Sequence, residues 1–123
     1  MKKIYLLLSM LLFVSIFAFV SIGNSIVGNW KIVYPAGAQV SLEFRKNGTF
    51  RTEIPSEHFT IEGKYKMKGD IVYISDSSCG SGYWGKYKYT FFSNDSVYSA
   101  VIEDSCYGRK ATADKATWIR VKN

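Results

Sequence analysis

The side chains able to do chemistry on their own are few: Cys79, Cys106, the single histidine His58, and a Gly/Ser-rich stretch from Ser77 to Trp84. A structural metal site needs four ligands at recognisable spacings, and one cysteine pair with a distant histidine does not supply them. A Ser/His/Asp hydrolase would have to use His58, which follows the Pro55-Ser56 turn beside Glu57, and no nucleophile-elbow motif accompanies it. The Ser77–Trp84 stretch follows no nucleotide-binding pattern, so a disulfide anchor and rim explain it better than a phosphate cradle. The chain is therefore expected to carry no catalytic residue, metal or cofactor, and to act by binding. Asn47 and Asn94 begin N-x-S/T sequons at turns, which matter only in a eukaryotic secretory pathway.

The compartment decides what the two cysteines do. Met1-Lys2-Lys3 is a basic start, and the run from Ile4 to Ile22 is apolar apart from Ser9, Ser15 and Ser21. Small residues at Gly23 and Ser25 suit a signal-peptidase site. Residues 1–25 are read as a signal peptide and 26–123 as the exported domain, secreted or periplasmic. The alternative is an uncleaved N-terminal membrane anchor, the one membrane contact expected. In an oxidising compartment Cys79 and Cys106 should pair, restricting the unfolded chain by roughly 3.5 kcal/mol on the loop-entropy account. Setting aside Lys2 and Lys3, the 16 basic residues become 14 against 10 acidic ones, a balance suited to solubility. Export argues against a nucleic-acid partner. With no linker or repeat, one monomeric domain is expected.

Strand signals recur from Gly28 onward, and no apolar pattern returns at three and four residues long enough for a helix. Gly28–Tyr34 is the first strand and Pro35–Gly37 turns the chain. Val40, Leu42 and Phe44 alternate with Ser41, Glu43 and Arg45, and Asn47-Gly48 then predicts a two-residue type I′ hairpin. The third strand holds Phe50, Thr52 and Ile54 on one face and stops at Pro55. In the fourth, Ile61, Gly63, Tyr65 and Met67 oppose Glu62, Lys64, Lys66 and Lys68, one face for core and one for water. Ile71–Ser75, Tyr83–Ser93, Val97–Glu103 and Thr117–Val121 complete eight. Short connections make this an antiparallel up-and-down meander, and closure into a barrel removes its bare edges and bare apolar face.

Gly28-Asn29-Trp30 on the first strand and Trp118-Ile119-Arg120 on the last resemble the lipocalin and calycin barrels. That resemblance implies that Trp30 and Arg120 form a structural cation–π pair at one barrel end. A narrower resemblance rests on Asp104-Ser105-Cys106-Tyr107-Gly108-Arg109, with the earlier Cys79 and terminal Trp-x-Arg: these are similar to a group of uncharacterised bacterial lipocalin-like proteins. The expected fold is thus all-β, a small lipocalin-like barrel, shorter than a typical lipocalin and without its C-terminal helix.

In this barrel Phe44, Phe50, Tyr65, Tyr87, Tyr89 and Phe91 should face inward, either as walls of an apolar pocket for a small ligand or as filling. Lys64, Lys66, Lys68, Lys86 and Lys88 should form outward rows, read as solubility and edge protection, with an anionic partner as the alternative. Cys79 opens the loop before the sixth strand and Cys106 the loop after the seventh, so both emerge at one mouth. The leading functional expectation is a carrier or sensor of a small apolar molecule. The alternative is a protein-binding module, such as an exported hydrolase inhibitor, acting through rim loops Ser77–Tyr83 and Cys106–Ala116.

Overall fold

The computed structural model describes residues 25–34, 39–80 and 82–122. The expected Pro35–Gly37 turn and nearly all of the segment read as a signal peptide lie outside them. Eight antiparallel strands form a closed barrel in sequence order: β1 (Gly28–Tyr34), β2 (Ser41–Phe44), β3 (Thr49–Ile54), β4 (Phe59–Lys68), β5 (Ile71–Asp76), β6 (Gly85–Ser93), β7 (Ser96–Glu103) and β8 (Ala116–Arg120). Closure joins β1 to β8, with Trp30 opposite Arg120 and Ile32 opposite Trp118.

Period-two patterning explains why these segments are strands. On β5, Val72 and Ile74 are buried between half-buried Ile71 and Tyr73; on β6, Tyr87 and Tyr89 are buried while Lys88 and Thr90 are exposed. The same alternation runs along β4, whose lysines are exposed and whose Ile61, Tyr65 and Met67 pack on the core.

Two local expectations are corrected. The β2–β3 connection is not a type I′ turn: Gly48 has φ +82°, but Asn47 does not share the positive φ that type I′ demands at both centres. Gly48 N–H donates to the Arg45 carbonyl at 3.2 Å and Arg45 N–H to that of Thr49 at 2.9 Å, which makes a three-residue loop with a glycine bulge. Asn47 keeps its φ negative because its side chain serves the turn, accepting from Thr49 N–H at 3.1 Å and Thr49 Oγ1 at 2.6 Å. The second correction is a helix, α1 (Tyr107–Ala113), where only a loop was expected. It is 7 residues long and buries only Ala113, so it presents no apolar stripe for periodicity to detect.

The interior divides into two halves. At the end carrying the Asn47-Gly48, Gly69-Asp70 and Asn94-Asp95 turns, aromatic rings fill the barrel. Trp30 meets Phe91 at 6.3 Å between centroids, and Phe44 meets Tyr65 at 4.7 Å, Tyr89 at 6.2 Å and Phe50 at 6.4 Å. Two polar atoms of these rings are paired: Tyr65 Oη donates to the Arg45 carbonyl and Trp30 Nε1 to that of Ile26. The opposite end is capped by α1 and two short 3₁₀ turns, Pro55–Glu57 and Ser77–Cys79, and there the interior is hollow.

Candidate binding cavity at the barrel mouth

The mouth is built from two aspartates that each stand just ahead of a cysteine: Asp76 before Ser77-Ser78-Cys79 and Asp104 before Ser105-Cys106. Each carboxylate turns its chain. Asp76 Oδ1 accepts from Ser78 N–H at 2.8 Å and also from the Ser78 hydroxyl, and Asp104 Oδ1 accepts from Cys106 N–H at 2.9 Å. These turns bring the two cysteines to a Cα separation of 5.6 Å, and Cys79 and Cys106 are disulfide-bonded. The bond ties the Ser77–Cys79 turn to Cys106, the residue just ahead of α1.

Arg109, on α1, lies between the two aspartates. Its Nε and Nη2 reach Asp104 at 2.7 and 2.9 Å as a side-on fork, and its Nη1 reaches Asp76 at 2.8 Å. The Tyr87 hydroxyl donates to Asp104 from below. Side-chain exposure is 9% for Arg109, 2% for Asp76 and 0% for Asp104, so this is a buried ionic cluster. Burial pushes the Asp104 carboxyl up, but hydrogen bonds from Arg109, Tyr87 and Cys106 N–H outweigh it and hold the group below the usual carboxylate range. Burial, then its bond to Asp104, drives the Tyr87 hydroxyl well above its ordinary value. Two glycines on neighbouring strands make the room. A Cβ at Gly85 would stand 2.6 Å from the Asp104 carboxylate, and one at Gly63 would stand 2.9 Å from Asp76 Cβ and 2.6 Å from the Phe50 ring.

Beneath this cap lies a cavity of about 420 Å³. Phe50, Ile54, Ile61, Ile74 and Trp118 supply apolar wall, Tyr89 lines it further in, and Glu57, Asp76, Ser78, Arg109 and Thr112 add polar atoms. Such a shape can hold an apolar body while its opening meets polar groups. Of the six inward aromatics expected to bind ligand, Phe50 and Tyr89 line this cavity. Phe44, Tyr65 and Phe91 stand in the packed half, and Tyr87 is fully buried against Asp104. His58 is exposed with φ +49° at the end of the Pro55–Glu57 turn and does not line this cavity. Sequence reasoning gave Asp76 no role, and it named Asp104, Arg109 and Trp118 only as marks of a resemblance, without a place at the mouth. Trp118 Nε1 donates to Ser99 Oγ at 2.9 Å, and Ser99 Oγ to the Ala113 carbonyl at 2.6 Å, which ties β8, β7 and the end of α1 together.

Tyr89 is 2% exposed and its hydroxyl has no hydrogen-bond partner among the described residues. Burial alone drives that hydroxyl's pKa upward. An unmet buried hydroxyl costs about 1–3 kcal/mol. Tyr89→Phe is therefore expected to raise unfolding free energy by about 1 kcal/mol in urea denaturation. A loss of similar size would mean that the hydroxyl meets a partner inside the barrel.

Comparison with family profiles, with curated proteins and with solved structures finds no match to this chain.

Proposed function

We propose that this protein is an exported binding protein that takes a small apolar molecule into the mouth cavity. The observation carrying this reading is the cavity itself, whose volume of about 420 Å³ lies within the roughly 300–1,000 Å³ range of ligand pockets. Its apolar walls stand on strands, and its mouth is braced by the disulfide and the Arg109 cluster, so the site is preformed. The basic and apolar N-terminus and the disulfide support export to the periplasm or beyond. The barrel, with Trp30 stacked under Arg120 across β1 and β8, supports kinship with the lipocalin-like group. Binding without catalysis is supported by the pairing of Arg109 with Asp76 at the cavity wall, which commits both groups to each other.

The test is occupancy of the cavity. Native mass spectrometry of the protein as purified should show a retained small mass, and an anilinonaphthalene dye should bind and be displaced by small apolar compounds. Thr52 points into the cavity from the middle of β3 and makes no side-chain hydrogen bond among the described residues. Thr52→Phe is expected to weaken dye binding at least about tenfold by occupying the space, with the circular dichroism spectrum unchanged. Equal dye affinity in both proteins would place the dye elsewhere and remove the basis of this reading.

One observation favours the second reading, a protein-binding rim. Tyr107 is 86% exposed at the start of α1, an aromatic presented on a braced element, as interface anchors are. Pull-down followed by native mass spectrometry separates the readings, since a carrier retains a small mass and an inhibitor retains a protein.

A further inference from the structure

The outward lysines on β4 and β6 stand in register across β5. Lys66, Tyr73 and Lys86 form one cross-strand row, and Lys68, Ile71 and Lys88 the next. Lys64 continues the β4 line, and Trp84 precedes β6 with Lys66 Nζ 4.4 Å over its ring. Strand geometry spaces such charges by about 7 Å along β4 and about 10 Å from β4 to β6. Edge protection does not account for them, because β4, β5 and β6 are paired on both sides in a closed barrel that has no edge.

Nor are they neutralised in place. On the outer face of β2 and β3 the charges satisfy one another: Arg45 pairs with Glu43 and with Glu62 of β4, and Arg51 with Glu53. Lys64, Lys66 and Lys68 have no carboxylate within 4.0 Å among the described residues. Lys86 and Lys88 have only Glu103 at 3.9 Å and Asp70 at 3.8 Å, loose pairs in water. On the same strand as Lys86 and Lys88, Phe92 is 67% exposed, while its neighbour Phe91 packs inward on Trp30.

We infer that the outer face of β4, β5 and β6 docks on an anionic lipid bilayer, with the lysines on the headgroups and Phe92 entering the interface. This goes beyond the cavity reading and does not depend on it. A bilayer is favoured over a soluble polyanion because it alone uses both features: lysines gain from a negative surface, and an exposed phenyl ring gains from leaving water.

Trp84 reports on this face, since Trp30 and Trp118 are buried in the barrel at 1% and 2% exposure. The full chain is mixed with vesicles of phosphatidylcholine alone, or with about one-third phosphatidylglycerol, and Trp84 emission and co-sedimentation are followed. Any contribution of the apolar run Ile4–Ile22 is measured in the neutral vesicles, which set the baseline. Anionic vesicles should shift Trp84 emission to the blue, and about 0.5 M salt should reverse the shift. Trp84→Phe should remove it. At roughly fivefold per lysine, Lys64→Gln, Lys66→Gln and Lys68→Gln together should cut the anionic preference about a hundredfold. Phe92→Ser should weaken binding to the same vesicles. Lys110→Gln, Lys115→Gln and Lys122→Gln together remove the same charge from α1 and the C-terminal side, and should retain the preference. Equal loss in the two triple variants, or no preference for anionic vesicles, overturns the proposal. So does a Trp84 shift with dextran sulfate but none with vesicles, which would make this a polyanion-binding face.

Discussion

Arg109→Ala will cost about 3–5 kcal/mol of stability, because it leaves Asp76 and Asp104 buried without their counter-charge. Asp104 cannot be rehydrated cheaply, being enclosed by Tyr87, Cys106 and the Gly85 backbone, and Asp76 stands at the cavity wall with a side chain only 2% exposed. The loss should depend on pH with a definite sign. In the native protein the Asp104 pKa is depressed, so its contribution is complete above the unfolded carboxylate value near 4 and is lost as pH falls through the lower folded value. Without Arg109, burial dominates and favours the protonated acid, which does better as pH falls. The gap between the two proteins should therefore narrow from pH 7 toward pH 3 in urea denaturation. Removing every charge, with Arg109→Met, Asp76→Asn and Asp104→Asn, should cost less than Arg109→Ala alone, since the neutral set leaves no buried ion unpaired. A loss under about 1 kcal/mol that is flat with pH would mean that water already reaches the cluster.

That cluster shows what strand patterning can and cannot reveal. Alternation states which face a residue occupies, and for β4 and β6 it does so throughout: Tyr65 and Tyr89 inside, Lys66 and Lys88 outside. It does not state height along the barrel axis. Phe44, Phe50, Tyr65, Tyr87, Tyr89 and Phe91 share the inward phase, yet strand stagger sets Phe44, Tyr65 and Phe91 in the packed end and leaves Phe50 and Tyr89 at the cavity. Whether the interior was filled or hollow was thus undecidable from pattern, and the answer is one half of each.

The mouth had a local signal of another kind. An aspartate two or three residues ahead of each cysteine, followed by serine, marks a turn capped by its own carboxylate. What no local signal contains is the joining of those two turns by Arg109, since Arg109 and Asp76 lie 33 residues apart. The helix that carries Arg109 is equally invisible to periodicity, because the cluster and the disulfide hold it where an apolar face would otherwise be needed.

At the opposite end, Trp30→Ala is expected to cost about 3–5 kcal/mol, the range for deleting a large buried aromatic. Trp30 is 1% exposed, packs edge-on against Phe91 and donates to the Ile26 carbonyl, so its loss opens the packed half and frees the segment that plugs it. Arg120 is its cross-strand neighbour on β8, and the guanidinium lies 4.3 Å from the indole centroid. Held there, it donates to the carbonyls of Val27 and Ser25 at 2.7 Å and to that of Asn94 at 2.9 and 3.1 Å. One side chain thus ties the entry to β1 and the β6–β7 turn to the last strand, across the seam where the barrel closes. A double-mutant cycle with Trp30→Ala and Arg120→Met should give a coupling of about 0.5–2 kcal/mol. Arg120→Lys should recover little of the loss, because an ammonium keeps the charge but not the planar fork that reaches three carbonyls. Gly28→Ala probes the same seam from the backbone side: its Cβ would stand 2.7 Å from Arg120 Nη1, and Gly28 has φ +133°. Its cost should shrink when Arg120 is already methionine. Coupling of zero in the Trp30–Arg120 cycle would mean that the indole and guanidinium stabilise the two strands independently, and that closure rests on the β1–β8 backbone ladder alone.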